Sequence, residues 1–213
     1  MEEPRGAGDR LSRAAAHRLS LYLRALAAWP ADAGKVSSGR IANACGVSDA
    51  QVRRDLAALG NLGQRGIGYQ PRDLIAAIRT ALGIDRTWRA VLVGVGNLAR
   101  ALLRYGGFRA QGFEIVGLFD TDPAKVGLLV EGLTVEPLKK LRQRVPALKA
   151  ELAVITVPAE AAQEVADELV EAGVRGVLNF APVLLKLPGR VKLVAVDLAI
   201  QLEQLAFLIQ LDH

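Results

Sequence analysis

Two short stretches of this 213-residue chain combine residue types and spacings that could hold a ligand. The first is Gly94-Val95-Gly96-Asn97-Leu98-Ala99, a GxGxxA string that directly follows the apolar run RAVLV and opens a helical stretch. In that setting Gly94 permits a tight turn, and Gly96 lets backbone approach a pyrophosphate. Ala99 stands where a third glycine is also common and keeps helix and strand close. The helix N-terminus then offers free N–H groups to phosphate oxygens. Asp120 closes the next apolar run. An acid at the end of a second strand accepts hydrogen bonds from adenosine ribose hydroxyls and repels a 2′-phosphate, which favours NAD(H) over NADP(H). Two later run-ends, Thr156-Val157-Pro158 and Asn179-Phe180-Ala181-Pro182, fall at the carboxyl edge of the implied sheet, where such folds bind ligands. Their prolines would also serve simply to end strands.

What accompanies this cradle limits its chemistry. The chain's two histidines are His17 and His213, and its one cysteine is Cys45, so none lies between the phosphate loop and the last strand. The usual general acid/base of a dehydrogenase is missing there, and no His/Cys metal cluster exists. A dinucleotide site with no reactive group beside it reads as a sensor, not as an enzyme.

The second stretch is Ile41 to Leu56. Ala42 is small where two helices must approach, Gly46 supplies the turn four residues on, and Val47 and Val52 fill the space between. This is a helix-turn-helix pattern, and the helix opened by Ser48 would be the recognition helix. Gln51 can bond adenine bidentately, and Arg53 or Arg54 can do the same to guanine or clamp phosphates. The glycine-dense segment 60–68, ending at Tyr69, would form a hairpin wing with Arg65 near its tip, suited to a minor groove or to the backbone. Ser48 and Tyr69 complete the candidate DNA contacts. Charge agrees with this division. Residues 1–86 hold 13 Lys and Arg against 8 Asp and Glu, whereas residues 87–213 hold 14 of each, so all of the net +5 sits on the first part.

The elements that must position these residues follow from periodicity. Leu19, Tyr22, Leu23 and Leu26 make one stripe on a helix that Pro30 ends, and further helices are expected at about 39–44, 48–59 and 72–82. After Gly83 the pattern changes. Five apolar runs of strand length (89–94, 114–119, 151–157, 176–180 and 192–196) alternate with helical stretches at about 97–105, 137–143 and 159–172. Unbroken apolar runs suit strands buried on both faces of a parallel sheet, so a doubly wound α/β domain is expected. The segment 197–211 is apolar on several helical faces and must be buried by something, a partner subunit being one answer. The expected domains are residues 1–85 (winged helix), 86–196 (Rossmann) and 197–213 (dimerisation helix). No run of about 18 apolar residues occurs and the N-terminus carries acids, so neither a membrane span nor a signal peptide is expected. A single cysteine suits a reducing cytoplasm.

Together these strings resemble the Rex family of redox-sensing repressors over about residues 11–211. The resemblance is carried by Gln51-Val-Arg-Arg-Asp-Leu56, Gly63-Gln-Arg-Gly-Ile-Gly-Tyr69, the Gly94–Ala99 loop, Phe119-Asp-Thr-Asp-Pro123, Thr156-Val-Pro158 and Asn179-Phe-Ala-Pro182. It implies a homodimer that holds a palindromic operator under NAD+, releases it under NADH, and swaps its C-terminal helix between subunits. It also implies a switch in which a tyrosine after the phosphate-loop helix and an aspartate opening the swapped helix exchange partners. By position these match Tyr105 and Asp197, with Arg24 on the first helix as the alternative partner. A core ring and a helix cap would account for Tyr105 and Asp197 equally well. Three other functions fit the same residues: an NAD-dependent oxidoreductase or a CoA- or nucleotide-binding module, each with a basic helical cap, and an interaction protein that uses the apolar C-terminal helix alone.

Overall fold

Ser12, Ser37 and Ser48 each accept a hydrogen bond from a backbone N–H three residues on, satisfying donors that a helix start leaves bare. They open helices α1 (Arg13–Ala27), α2 (Ser38–Cys45) and α3 (Asp49–Ala57). The computed structural model describes residues 11–30, 34–64 and 67–211. It divides into two units, Met1–Arg86 and Thr87–His213.

In the first unit, Gly46 ends α2 in the left-handed conformation, at φ 65°, and so turns the chain into α3. Two-residue strands β1 (Gly63–Gln64) and β2 (Gly68–Tyr69) form the antiparallel wing, and Val36 bridges to Tyr69 as a third edge. Helix α4 (Pro71–Ala81) follows, with proline at its start, where the missing N–H costs nothing. Leu19, Tyr22, Ile41, Val52, Leu56, Leu74 and Ile78 form one core. Val47, expected inside it, is half-buried at its edge. Arg65, the expected wing tip, lies outside the described residues.

The second unit is a seven-stranded sheet. Its strands are β3 (Trp88–Val93), β4 (Phe113–Asp120), β5 (Leu129–Val130), β6 (Leu133–Pro137), β7 (Leu152–Ile155), β8 (Gly176–Asn179) and β9 (Lys192–Ala195). Their order is β5-β6-β4-β3-β7-β8-β9, all parallel except β5. The chain builds outward from β3 through β4 to β6, then returns to place β7, β8 and β9 on the other side. The strand order thus reverses between β3 and β7, and in open sheets such a reversal leaves a crevice at the carboxyl ends.

Alternate residues serve opposite faces. Val91, Val93, Phe119, Ala153, Ile155 and Val177 pack under α7 (Leu141–Ala147) and α8 (Ala159–Glu171). Leu92, Leu118, Val154 and Leu178 face α5 (Asn97–Arg104). A short helix, α6 (Gly107–Ala110), leads into β4.

All five expected strands are present, but two were not foreseen. The stretch 137–143, read as helix, is split: residue 137 ends β6, residues 138–140 form a 3₁₀ turn, and α7 starts at Leu141. Pairing of Val135 with Leu118 recruits this segment to the sheet. Helix α9 (Leu198–Leu211) has no buried residue. Among the described residues no helix is long and apolar enough to cross a membrane.

Candidate functional site: a dinucleotide cradle and a recognition helix

Val93 ends β3, and Gly94 then turns at φ 92°. A side chain there would be doubly excluded: its Cβ would lie 2.8 Å from the Thr156 carbonyl oxygen and 2.7 Å from Val157. The Thr156 hydroxyl donates to the Gly94 carbonyl at 2.7 Å, with the Val93 carbonyl at 3.1 Å, and so ties the ends of β3 and β7 together. Gly96 differs. A Cβ there would meet no protein atom within 4 Å, so the space over the N-terminus of α5 is open. No side chain caps that terminus, Asn97 and Leu98 are exposed, and Ala99 is fully buried against the sheet.

Asp120 ends β4 at the same edge. Its Oδ2 accepts from the Val95 N–H at 2.7 Å and from Lys125 Nζ at 3.1 Å, and its Oδ1 accepts from the Asp122 N–H at 2.9 Å. Burial alone would push this carboxyl up. The backbone donors of Asp122 and Val95, with Lys125, outweigh that and hold it below the usual carboxylate range. A cavity of about 510 Å³ opens here, lined by Gly94, Gly96, Asp120, Asp122, Lys125, Thr156, Val157, Pro158 and Glu164 among others. An open phosphate loop, a helix N-terminus and a buried acid at the second strand are what an adenosine diphosphate moiety requires, so the residues fit a dinucleotide.

Asn179, Phe180, Ala181 and Pro182 do not line this cavity. The Asn179 side chain is spent on its own turn: it donates to the carbonyls of Ala181 and Val183 at 3.0 Å each and accepts from the Ala181 N–H at 2.9 Å. Phe180 packs half-buried on the α5 face of the sheet, Ala181 is buried on the other, and Pro182 is exposed. Tyr105 is exposed and meets Phe108 edge-to-face at 5.3 Å. Asp197 caps α9, accepting from the N–H groups of Ala199 (2.9 Å) and Ile200 (3.3 Å). Arg24 is exposed in the last turn of α1.

On the recognition helix α3, most candidate residues are already engaged. Ser48 is the cap, and Arg53 pairs with Asp49 at 2.6 Å. Gln51 donates to Asp55 and accepts from Arg54. Tyr69 is half-buried, its ring lying over Gly63.

Residues that the sequence reading passed over matter here. Lys125 and Glu164 line the cavity, and Asp55 organises the first unit. Asp55 falls between Val52 and Leu56, on the inward face of α3, where an acid signals a buried network. Lys125 and Glu164 carry no comparable local signal.

A winged helix joined to a Rossmann fold with an open phosphate loop defines a class: the nucleotide-responsive regulators built on a DNA-binding head. The chain matches the family model described as "Putative DNA-binding protein N-terminus" over residues 10–57 and the one described as "CoA binding domain" over residues 85–183. It is 49% identical to the redox-sensing transcriptional repressor Rex of Desulfitobacterium hafniense (81% of this chain, 82% of that one) and 45% identical to that of Carboxydothermus hydrogenoformans (96% and 99%). The chain belongs to the Rex family of redox-sensing transcriptional repressors; it is a regulator and not an enzyme. Among solved structures it is similar to RSP, a Rex-family repressor. The complex of RSP with β-NAD+ and operator DNA gives a TM-score of 0.89 at 32% identity (95% of this chain, 94% of that one), and its complex with β-NADH gives 0.85 at 29% (95% and 96%).

Proposed function

We propose that this chain is a cytoplasmic homodimer that holds a palindromic operator through its winged helices when NADH is low and leaves it when NADH fills the cradle. One observation carries the reading: the open loop Gly94–Ala99 beside buried Asp120 shares a chain with the helix-turn-helix. NADH and NAD+ differ by a hydride and one positive charge on the nicotinamide ring. Phe180, half-buried at the carboxyl end of β8 and outside the cavity over the glycine loop, would favour the uncharged ring by avoiding desolvation of the cation.

The dimer is supported by surface left uncovered. On the α5 face, burial decays across the sheet, from Leu92 at 0% exposed to Val154 at 7%, half-buried Leu178 and Val194 at 60%. No helix connects β8 to β9, and among the described residues nothing covers Val194 at that end. Helix α9 meanwhile exposes Leu198, Leu202, Leu205, Phe207 and Leu211. Exchange of α9 between two copies would cover both surfaces.

The switch is assigned to Tyr105, Asp197 and Arg24. A tenfold to hundredfold loss of DNA affinity needs roughly 1.4–3 kcal/mol of coupling. Releasing the Asp197 cap costs about 1 kcal/mol, small enough for a ligand to supply.

The test is selection from random duplex DNA at physiological salt, with NAD+ or NADH present. A palindromic site held under NAD+ and released by NADH is expected, and truncation after Val196 should abolish both dimer and selection. Lack of sequence preference under either cofactor overturns the DNA half of the proposal. The match to a CoA-binding family model favours one rival ligand; NADH should outcompete CoA because Asp120 faces the ribose site.

A further inference from the structure

Gln51 sits in the first turn of α3, where a recognition helix meets bases, yet both ends of its amide are committed within the protein. Its Nε2 donates to Asp55 Oδ1 at 2.9 Å, and its Oε1 accepts from Arg54 at 3.0 Å. Chemistry fixes this orientation, since a carboxylate only accepts and a guanidinium only donates. Asp55 is anchored in turn. It accepts from Arg18 at 2.6 and 2.8 Å and from the Tyr22 hydroxyl at 2.9 Å, and it is 5% exposed. With Gln51 this gives the carboxylate four hydrogen bonds, and all of its donors are oriented by α1 or α3.

Bidentate reading of adenine needs the N–H and the carbonyl of one amide turned outward together. For Gln51 that rotation would strip a donor from a buried carboxylate and an orienting acceptor from Arg54. The two arginines differ correspondingly. Arg53 is tied to Asp49 at 2.6 Å, which offsets its charge. Arg54 is exposed and aimed by Gln51.

We infer that Gln51 is a positioning residue and that Arg54, oriented through the chain Asp55–Gln51–Arg54, reads a base, with guanine O6 and N7 as the edge its planar fork fits. This rests on the proposed binding of duplex DNA by the first unit. It reassigns Gln51, which the residue type alone places on adenine, and it chooses between Arg53 and Arg54.

The experiment uses the full chain. The duplex that wild type selects from a random pool is remade with every single base-pair change, and each is titrated with wild type, Gln51→Ala, Arg54→Ala and the double variant. Gln51→Ala removes one of the four hydrogen bonds to Asp55, so its melting temperature should fall by only a few degrees, and all titrations are run well below it. Both single variants are expected to lose about tenfold or more of the discrimination at one and the same G·C pair, with the double variant no worse than Arg54→Ala. Relaxation at different pairs with additive effects would overturn the inference, as would a loss in Arg54→Ala that is uniform across all duplexes, the mark of a phosphate contact. If wild type selects no duplex, DNA binding itself falls and the relay with it, an outcome distinct from both.

Discussion

Asp55 in the first unit and Asp120 in the second are both almost fully buried, at 5% and 6% exposure, and both are held below the ordinary carboxylate range. What holds them differs. Burial would raise Asp55, and side chains oppose it: Arg18 and Tyr22, 37 and 33 residues away on another helix, and Gln51 one turn back. Asp120 is held chiefly by backbone, its own turn at Asp122 and the phosphate loop at Val95, with one lysine in support. Asp55 has its acceptor positions filled by side chains of two helices, so it is a tie between them. Asp120 borders a 510 Å³ cavity with three donors on its two oxygens, so it retains capacity for a ligand hydroxyl. Two buried acids with the same charge and nearly the same exposure thus do different work, and the difference lies in whether side chains or backbone supply the donors.

The sharpest way to break this comparison is Asp55→Ala. It leaves the Arg18 cation without its partner, a loss of roughly 3–5 kcal/mol for a buried pair, and toward about 3 because the Arg18 side chain keeps 23% of its exposure. The melting temperature of the first unit should fall by about 10 °C or more. Calorimetry that shows no shift would mean that Asp55 is not a tie.

A smaller global effect is expected from Asp120→Ala, because Lys125 can return to water and the two backbone donors lie at a cavity edge. Its NADH affinity should drop about tenfold by titration calorimetry, with a melting shift well below that of Asp55→Ala. Equal destabilisation by the two variants would erase the distinction.

The smallest change is Tyr22→Phe, which removes one hydrogen bond, about 1 kcal/mol. It also carries a sign. Burial first, then the hydrogen bond to Asp55, push the Tyr22 phenol well above its ordinary 10.0. A group raised on folding contributes in full below its unfolded pKa and loses that contribution as pH climbs toward the folded one. Wild type should therefore lose stability in its first unit above about pH 10, and Tyr22→Phe should lack that loss. The carboxylates act in the opposite sense. The contributions of Asp55 and Asp120 are present above about pH 4 and fade as pH falls further, in both units. Denaturant titrations across pH 3–11 read both arms.

Much of the cradle was legible because its requirements are local. Gly94 cannot be substituted where the chain must turn against Thr156, Ala99 must be small, and Asp120 must end a strand. Each demand is met within a few residues, so the string reveals it. The helix-turn-helix was legible for the same reason, through Ala42, Gly46 and the serine caps. The edge hairpin was not. Strands β5 and β6 are short, and the run through Pro137 has no alternation strong enough to outweigh the helical look of Leu138 to Arg142; pairing with β4, a distant partner, made the choice. Asn179 reads as a ligand contact by its place at a strand end, but the hydrogen bonds of its own loop consume it.

Residue order alone therefore settled most of the helices and strands, the turns between them and the tight glycine loop after β3, because backbone conformation and apolar periodicity are properties of neighbours in the chain. Which polar side chains remain available for a partner was settled in three dimensions. Gln51 is occupied because Asp55 lies one turn away and Arg18 reaches it across helices, and Val194 is uncovered because no helix follows β8. Hydrogen-bond occupancy and burial depend on residues brought together from distant parts of the chain, and only the packed fold does that.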